Sequence, residues 1–249
     1  MTLLVFDMGG SAVKYGLWQD EQLSDKGQFA TPDTWQKMKE ELKAIRDSIK
    51  KPLEGVGISA PGAVNVAQQQ INGISAIPYI HGFNIFAELE ALFQLPVTIE
   101  NDANCAGMAE FYQGAGKDFD TAAFIVIGTG VGGALFQQGK LIKGAHLYGG
   151  EFGLMVLDKG KSFSQLGTAV QMAWRYCDRI GVDRKTISGE EVFRRAGEGD
   201  IIAEINQRMK KMLAAQDLND FVPLIKLCDY RNDANLVGAA ANFTAQVLN

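Results

Sequence analysis

VFDMGGSAVKYGLW, residues 5–18, and FIVIGTGVGGALFQQG, residues 124–139, are two versions of one arrangement: an apolar strand, a glycine turn and a second strand. Leu3 to Phe6 is a continuous apolar run, as expected of a strand buried on both faces. Glycines placed directly after such a strand let backbone N–H groups converge on an anion. The second stretch contains Gly128-Thr-Gly-Val-Gly-Gly133, which matches part of a dinucleotide fingerprint. That fingerprint must open a helix, and here a strand follows, so dinucleotide binding is rejected. Taken singly, each hairpin is also accounted for by a tight turn. Taken together they open two similar halves, a repeat of architecture rather than of sequence.

Between the hairpins, helix and strand signals alternate. Thr31-Pro32-Asp33 punctuates the start of a helix in which Trp35, Met38, Leu42, Ile45 and Ile49 recur at helical spacing, and which ends before Pro52. GVGISAPG, residues 55–62, reads as a buried strand running into the rigid turn Ser59-Ala-Pro-Gly62. Residues 84–94 form an amphipathic helix, PVTIE (96–100) the next strand, and ANCAGMAEFYQGAG (103–116) a helix whose small residues allow close packing. The pattern is a mixed α/β layer. From about residue 165 the chain is mainly helical, with a capping box at Ser188-Gly-Glu-Glu191 and a further helix over 200–216.

The 249 residues are 47% hydrophobic and 21% charged, the composition of a globular enzyme. The formal net charge of -5, with no block of Lys or Arg, argues against a nucleic-acid partner. Cys105, Cys177 and Cys228 form no C-x-x-C pair, so neither a disulfide framework nor a thiolate metal site is indicated. The opening MTLLVFDMGG is too short an apolar run for a signal segment, and no stretch approaches the ~20 apolar residues of a membrane span. The expectation is a cytoplasmic protein with no membrane partner.

Three segments carry chemistry. Asp7, at the end of the first strand, is placed to hold a hydrated Mg²⁺, or is an ordinary acid of a turn. Glu100-Asn-Asp-Ala-Asn104 gathers polar groups at a strand–helix junction, where Asp102 suits a general base and Asn101 and Asn104 suit orientation or sugar hydroxyls. The alternative is that Asn101 or Asp102 caps the following helix. Gly149-Gly-Glu-Phe-Gly153 places one acid, Glu151, in a glycine-rich stretch. His81 and His146 are isolated and read as structural or surface residues.

The wording and order of these segments resemble the ROK family (repressor, open reading frame, kinase) of sugar kinases. The stretches that carry the resemblance are DMGGSAVKYG, GISAPGAVN, IENDANCAGMAE, IVIGTGVGGALFQQGKLIKGAH, GGEFG and NDANLVGAA, in order over nearly the whole chain. The resemblance implies two actin-like (ribonuclease H-like) α/β ATPase domains with the active site in the interdomain cleft, over 1–116 plus 233–249 and over 117–232. It implies ATP and Mg²⁺ as cofactors, a small-molecule sugar as substrate, and allows a homodimer. Asp102 looks like the base that deprotonates a primary sugar hydroxyl. Pro61, Gly62, Asn101 and Glu151 look like sugar contacts. Asp7, Gly9, Gly10, Ser11, Thr129 and Gly130 match the phosphate and Mg²⁺ end, with Lys14 either assisting there or standing as an exposed strand lysine.

Two departures from the family pattern bear on function. Zinc-bearing members place a histidine just after Gly-Glu-x-Gly, followed by a cysteine cluster; here that position is Leu154, so no zinc site is expected. Zinc-free sequences of this texture resemble the β-glucoside kinase branch, which phosphorylates O6 of a glucosyl unit. The second departure follows the helix over 200–216, where the family continues through a strand, a glycine-rich loop facing the adenosine, and a helix and strand. Here Gln216 runs straight into DLNDFVPLIKLCDYRNDANLVGAA. The piece not seen is comparable to a βαβ unit of roughly 30 or more residues, and a mobile segment left out between 216 and 217 is the simpler expectation. A non-catalytic sugar-binding protein stays open beside the kinase. A sugar-sensing regulator is the third reading, but it needs a DNA-binding module, and Met1 lies directly before the first strand.

Overall fold

The computed structural model describes residues 1–218 and 223–247, without the side chains of residues 158 and 198–201. Strand β1 (Thr2–Met8) is buried from Leu3 onward and pairs antiparallel with β2 (Ala12–Gln19) across the glycine turn. β2 turns into β3 (Gln22–Ala30) through Asp20 and Glu21, with φ of 51° and 60°. That connection matches the twist of the paired strands, but without Gly or Asn it carries no sequence signal, and the third strand was not expected. Helix α1 (Trp35–Ser48) starts at Thr34, whose side chain accepts the Lys37 N–H, and buries Met38 and Leu42.

β4 (Gly55–Ala60) is buried throughout and runs parallel to β1. A small hairpin follows, β5 (Ala63–Asn65) and β6 (Gln70–Asn72). Then come α2 (Ile85–Phe93), β7 (Val97–Asn101) parallel to β4, and α3 (Asp102–Tyr112). The sheet order is β3-β2-β1-β4-β7. Parallel neighbours need long crossovers, and the segments containing α1 and α2 supply them. Alternation along β1 sends Leu4, Phe6 and Met8 to a core with Met38, Leu42, Leu89 and Phe93, and Leu3 and Val5 to another with Cys105, Ala109, Leu236 and Phe243.

A second sheet of order β10-β9-β8 holds β8 (Ala122–Ile127), β9 (Val131–Gln137) and β10 (Lys140–Leu141). After it come the pair β11 (Val156–Asp158) and β12 (Lys161–Ser162), then helices α4 (Phe163–Gly167), α5 (Ala169–Ile180), α6 (Gly189–Ala196) and α7 (Glu198–Ala214). Helix α8 (Ala234–Val247) ends the described chain; residues 248 and 249 of the helix expected over 233–249 lie outside it. Ser188 does cap α6, but Glu191 turns to Arg194 and Arg195 rather than back to the cap. The reciprocal capping box is at Ser162 and Gln165, ahead of α4.

The chain divides into two compact units, Met1–Phe124 with Gly133–Gly150 and Tyr230–Asn249, and Ile125–Gly132 with Glu151–Asp229. This differs from the boundary expected at 116/117. The reason is packing on α3: Gly107 lets Ala134, Phe136 and Phe124 approach, and Phe111 stacks on Phe136 with ring centroids 4.2 Å apart. Those contacts bring 133–150 into the first unit.

At 216/217 the chain is continuous. Asp217 adopts a left-handed φ of 56°, its N–H bonds to the Ala214 carbonyl, and the Leu218 N–H bonds to the Leu213 carbonyl. This is a Schellman closure, which satisfies the last carbonyls of α7. Residues 219–222 lie outside the described chain.

Candidate active site

The C-terminal ends of β1, β4 and β7 place Asp7, Ser59 and Glu100 side by side in register. Ligands of α/β sheets bind beyond such ends. Asp7 is 6% exposed. Its Oδ1 accepts from Ser59 Oγ at 2.9 Å and from Asn235 Nδ2 at 3.0 Å. Its Oδ2 has Lys14 Nζ at 3.9 Å, too long for a hydrogen bond. In the adjoining turn the Gly9 N–H is already bonded to the Asp7 and Ala12 carbonyls, and the Thr31 hydroxyl donates to the Gly9 carbonyl. Gly10 and Ser11 are exposed beyond it.

At the end of β7 the cap and the acid are separate residues. Asn101 is the N-cap of α3: its Oδ1 accepts the Asn104 N–H at 3.1 Å, and its Nδ2 donates to the Gly62 carbonyl at 3.1 Å. Asp102 is the first residue of the helix, part-buried, with Oδ1 accepting from the Ala103 N–H. A carboxylate in the first turn is stabilised by the helix dipole in its ionised form, the form a general base needs. Gly62 has φ of +107°, and a Cβ there would press on His81 and on the Asn72 carbonyl, so the turn after Pro61 requires glycine. His81 itself is tied to the Ser75 hydroxyl at 2.7 Å and to the Ile71 carbonyl, a structural role.

Glu100, 2% exposed, is matched by Lys143, whose Nζ lies 2.8 Å from Oε2. The Cys105 thiol is pushed well up, first by burial and then by the negative charges of Glu100, Asp7 and Asp102.

The second unit holds Thr129, Gly130 and Glu151. In the turn before β9 the Gly128 N–H bonds to the Gly130 carbonyl, and the Val131 N–H to Ser164 Oγ. Residues 128–130 are exposed. Glu151 is half-buried, and burial holds its carboxyl above the ordinary glutamate value. Among the described residues no three His, Cys, Asp or Glu side chains cluster as a metal would need, and no helix is long and apolar enough to cross a membrane.

Sequence reasoning singled out Asp7, Asn101 and Asp102 but not their supports. Ser59 lies inside a quoted turn, and Asn235 inside NDANLVGAA; neither spacing reveals that both reach Asp7. Lys143 lies inside IVIGTGVGGALFQQGKLIKGAH, and its spacing does not reveal Glu100 as its partner, because that pairing is fixed by a loop path.

The family model described as "ROK family" matches residues 3–228. The chain belongs to the ROK family. A relative called beta-glucoside kinase, from Listeria monocytogenes, is 33% identical over 213 residues, covering 82% of this chain and 72% of the relative. An N-acetyl-D-glucosamine kinase from Erwinia tasmaniensis is 28% identical over 269 residues, covering 96% and 84%. Because that alignment spans 269 positions and this chain has 249 residues, the relative carries at least 20 residues that have no counterpart here. Among solved structures, a ROK family protein from Streptococcus pneumoniae in complex with sucrose matches with a TM-score of 0.79 at 30% identity, covering 99% of both chains. The fold is accordingly the actin-like α/β fold of ROK proteins.

Proposed function

We propose that this ROK family chain is an ATP-dependent sugar kinase that phosphorylates the primary hydroxyl (O6) of a hexose or β-glucoside, in the cytoplasm. The observation that carries the reading is Asp102 at the start of α3, beside an Asn101 cap anchored to the Gly62 turn. Relatives called kinases of β-glucosides and of N-acetyl-D-glucosamine support it.

Phosphoryl transfer is catalysed mainly by positioning and electrostatics. Asp102 accepts the proton of the attacking hydroxyl, while Pro61, Gly62, Asn101 and Glu151 hold the sugar. Gly9, Gly10, Ser11, Lys14, Thr129 and Gly130 are the residues this reading assigns to the nucleotide phosphates. The Gly9 N–H is spent inside its own turn, so the amides of Gly10 and Ser11 are the donors. Asp7 fits a hydrated Mg²⁺: two donors fix Oδ1, and Oδ2 keeps lone pairs toward the hairpin. When bound, Mg²⁺ neutralises charge on the phosphate oxygens.

The test is a coupled assay for ADP over glucose, β-glucosides, N-acetylmannosamine and fructose, followed by Asp102→Asn. Losing a general base costs about 10²–10⁴ in kcat, while Asn keeps the shape, so sugar affinity stays near that of the parent. Turnover near normal in that variant removes Asp102 from the catalytic role. A second reading, a sugar-binding protein without catalysis, rests on the residues that the Erwinia relative carries and this chain lacks. Sugar binding with no sugar-dependent ATP consumption selects it.

A further inference from the structure

Lys143 follows β10, and it touches three segments of the first unit at once. Its Nζ donates to Glu100 Oε2 at 2.8 Å and to the Val64 carbonyl at 2.9 Å. Its own carbonyl accepts the Gly149 N–H at 2.8 Å. Glu100 passes the connection on: Oε1 accepts from the Asn101 N–H at 2.8 Å and from Asn104 Nδ2 at 3.0 Å. Asn101 in turn donates to the Gly62 carbonyl. The segments joined are the turn 61–65, the junction 100–104 and the approach to Glu151 at 149–150.

A carboxylate as buried as Glu100 is costly unless it is paired and fully hydrogen-bonded. Glu100 meets that condition with a cation on one oxygen and two N–H donors on the other. The pairing therefore fixes where Lys143 sits, and through it the spacing of the three segments. We infer that Lys143 is a positioning residue for the sugar subsite, acting through Glu100 and the Val64 carbonyl without touching the substrate. This rests on the kinase reading above only in taking Gly62, Asn101 and Asp102 as the sugar side.

Lys143→Met keeps the length of the side chain and removes the charge. The expected result is a sugar KM raised tenfold or more, with the ATP KM within twofold of the parent. A merely structural defect lowers the active fraction instead, which reduces kcat and leaves both KM values unchanged. Lys143→Arg restores a cation with several donors, and the sugar KM returns most of the way. In the double variant Lys143→Met with Glu100→Gln no charge is orphaned, so it lies closer to the parent than Lys143→Met alone. Calorimetric sugar titration without nucleotide, on parent and variants, separates the two ideas. A parent that binds sugar while Lys143→Met binds it equally well overturns the positioning role alone. A parent that neither binds nor phosphorylates any hexose or β-glucoside removes the kinase reading, and the inference falls with it.

Discussion

Two carboxylates on this chain are held in different ways, and each makes a separate prediction. Glu151 is held above the usual glutamate value by burial. A folded pKa above the unfolded one means that the native state binds this proton more tightly. Its stabilising contribution is present at low pH and is lost as pH rises through the folded pKa. Sugar binding runs the other way, because hydroxyls donate to the ionised form. Sugar affinity is therefore expected to fall as pH is lowered through the raised pKa, and Glu151→Gln abolishes that acidic limb while weakening sugar more than ATP; calorimetry across the acidic range reads both. Asp7 is instead set by two donors on one oxygen, Ser59 and Asn235. A hydrogen bond to a charged group contributes about 1.5–3 kcal/mol. Removing it by Asn235→Ala lets the carboxylate rotate, so the Mg²⁺ concentration needed for half-maximal activity rises about tenfold and sugar affinity is unchanged. An unaltered Mg²⁺ requirement ends that role for Asn235.

At the scale of elements, the closest packing is between α3 and α8. A Cβ on Gly238 would run into the Cys105 carbonyl of α3, and one on Gly57 of β4 would meet the Ala239 carbonyl, so α8 meets backbone rather than flexible side chains at both places. Overpacking in a tight core costs about 1–3 kcal/mol, and backbone gives way less readily than a side-chain tip. Gly238→Ala is expected to lower the unfolding free energy by at least that range, read as a lower denaturation midpoint at unchanged slope, and an unchanged midpoint would show that the helices can slide apart. The small residues of both helices were visible in ANCAGMAEF and NLVGAAANF, as were β1, β4, β7 and the two glycine hairpins. What was not legible has a physical reason in each case. β3 follows a left-handed Asp20–Glu21 turn that lacks the usual glycine, and β5 and β6 are only three residues long each. The spacing of Ser188 and Glu191 predicts a reciprocal cap, but two arginines compete for Glu191 and draw its carboxyl down to about 2. The candidate acids could be found from their motifs. The residues that aim them, Ser59, Asn235 and Lys143, come from loops and a distant helix, and spacing along the chain does not encode such reach.

The two units of the molecule are unequally built. In the first, β1, β4, β7 and four helices enclose two cores of buried side chains, among them Phe6, Phe93 and Phe243. In the second, the buried apolar residues among those described are Val131, Ala173, Cys177 and Ile187. Against these stand large exposed apolar side chains: Ile125 to Ile127 on β8, and Leu154 to Leu157 around β11. Burial supplies the main favourable free energy of folding, and regions with little of it open at lower cost than the global transition. Native-state hydrogen exchange is therefore expected to show α5, α6 and α7 losing amide protection well before β1, β4 and β7. The strands of the first unit should exchange only through global unfolding, and those helices through a smaller opening whose rate responds weakly to denaturant. Equal protection in both units would mean that the exposed apolar surface is covered in solution. Self-association, visible as a concentration-dependent mass in sedimentation, would then be the first thing to measure.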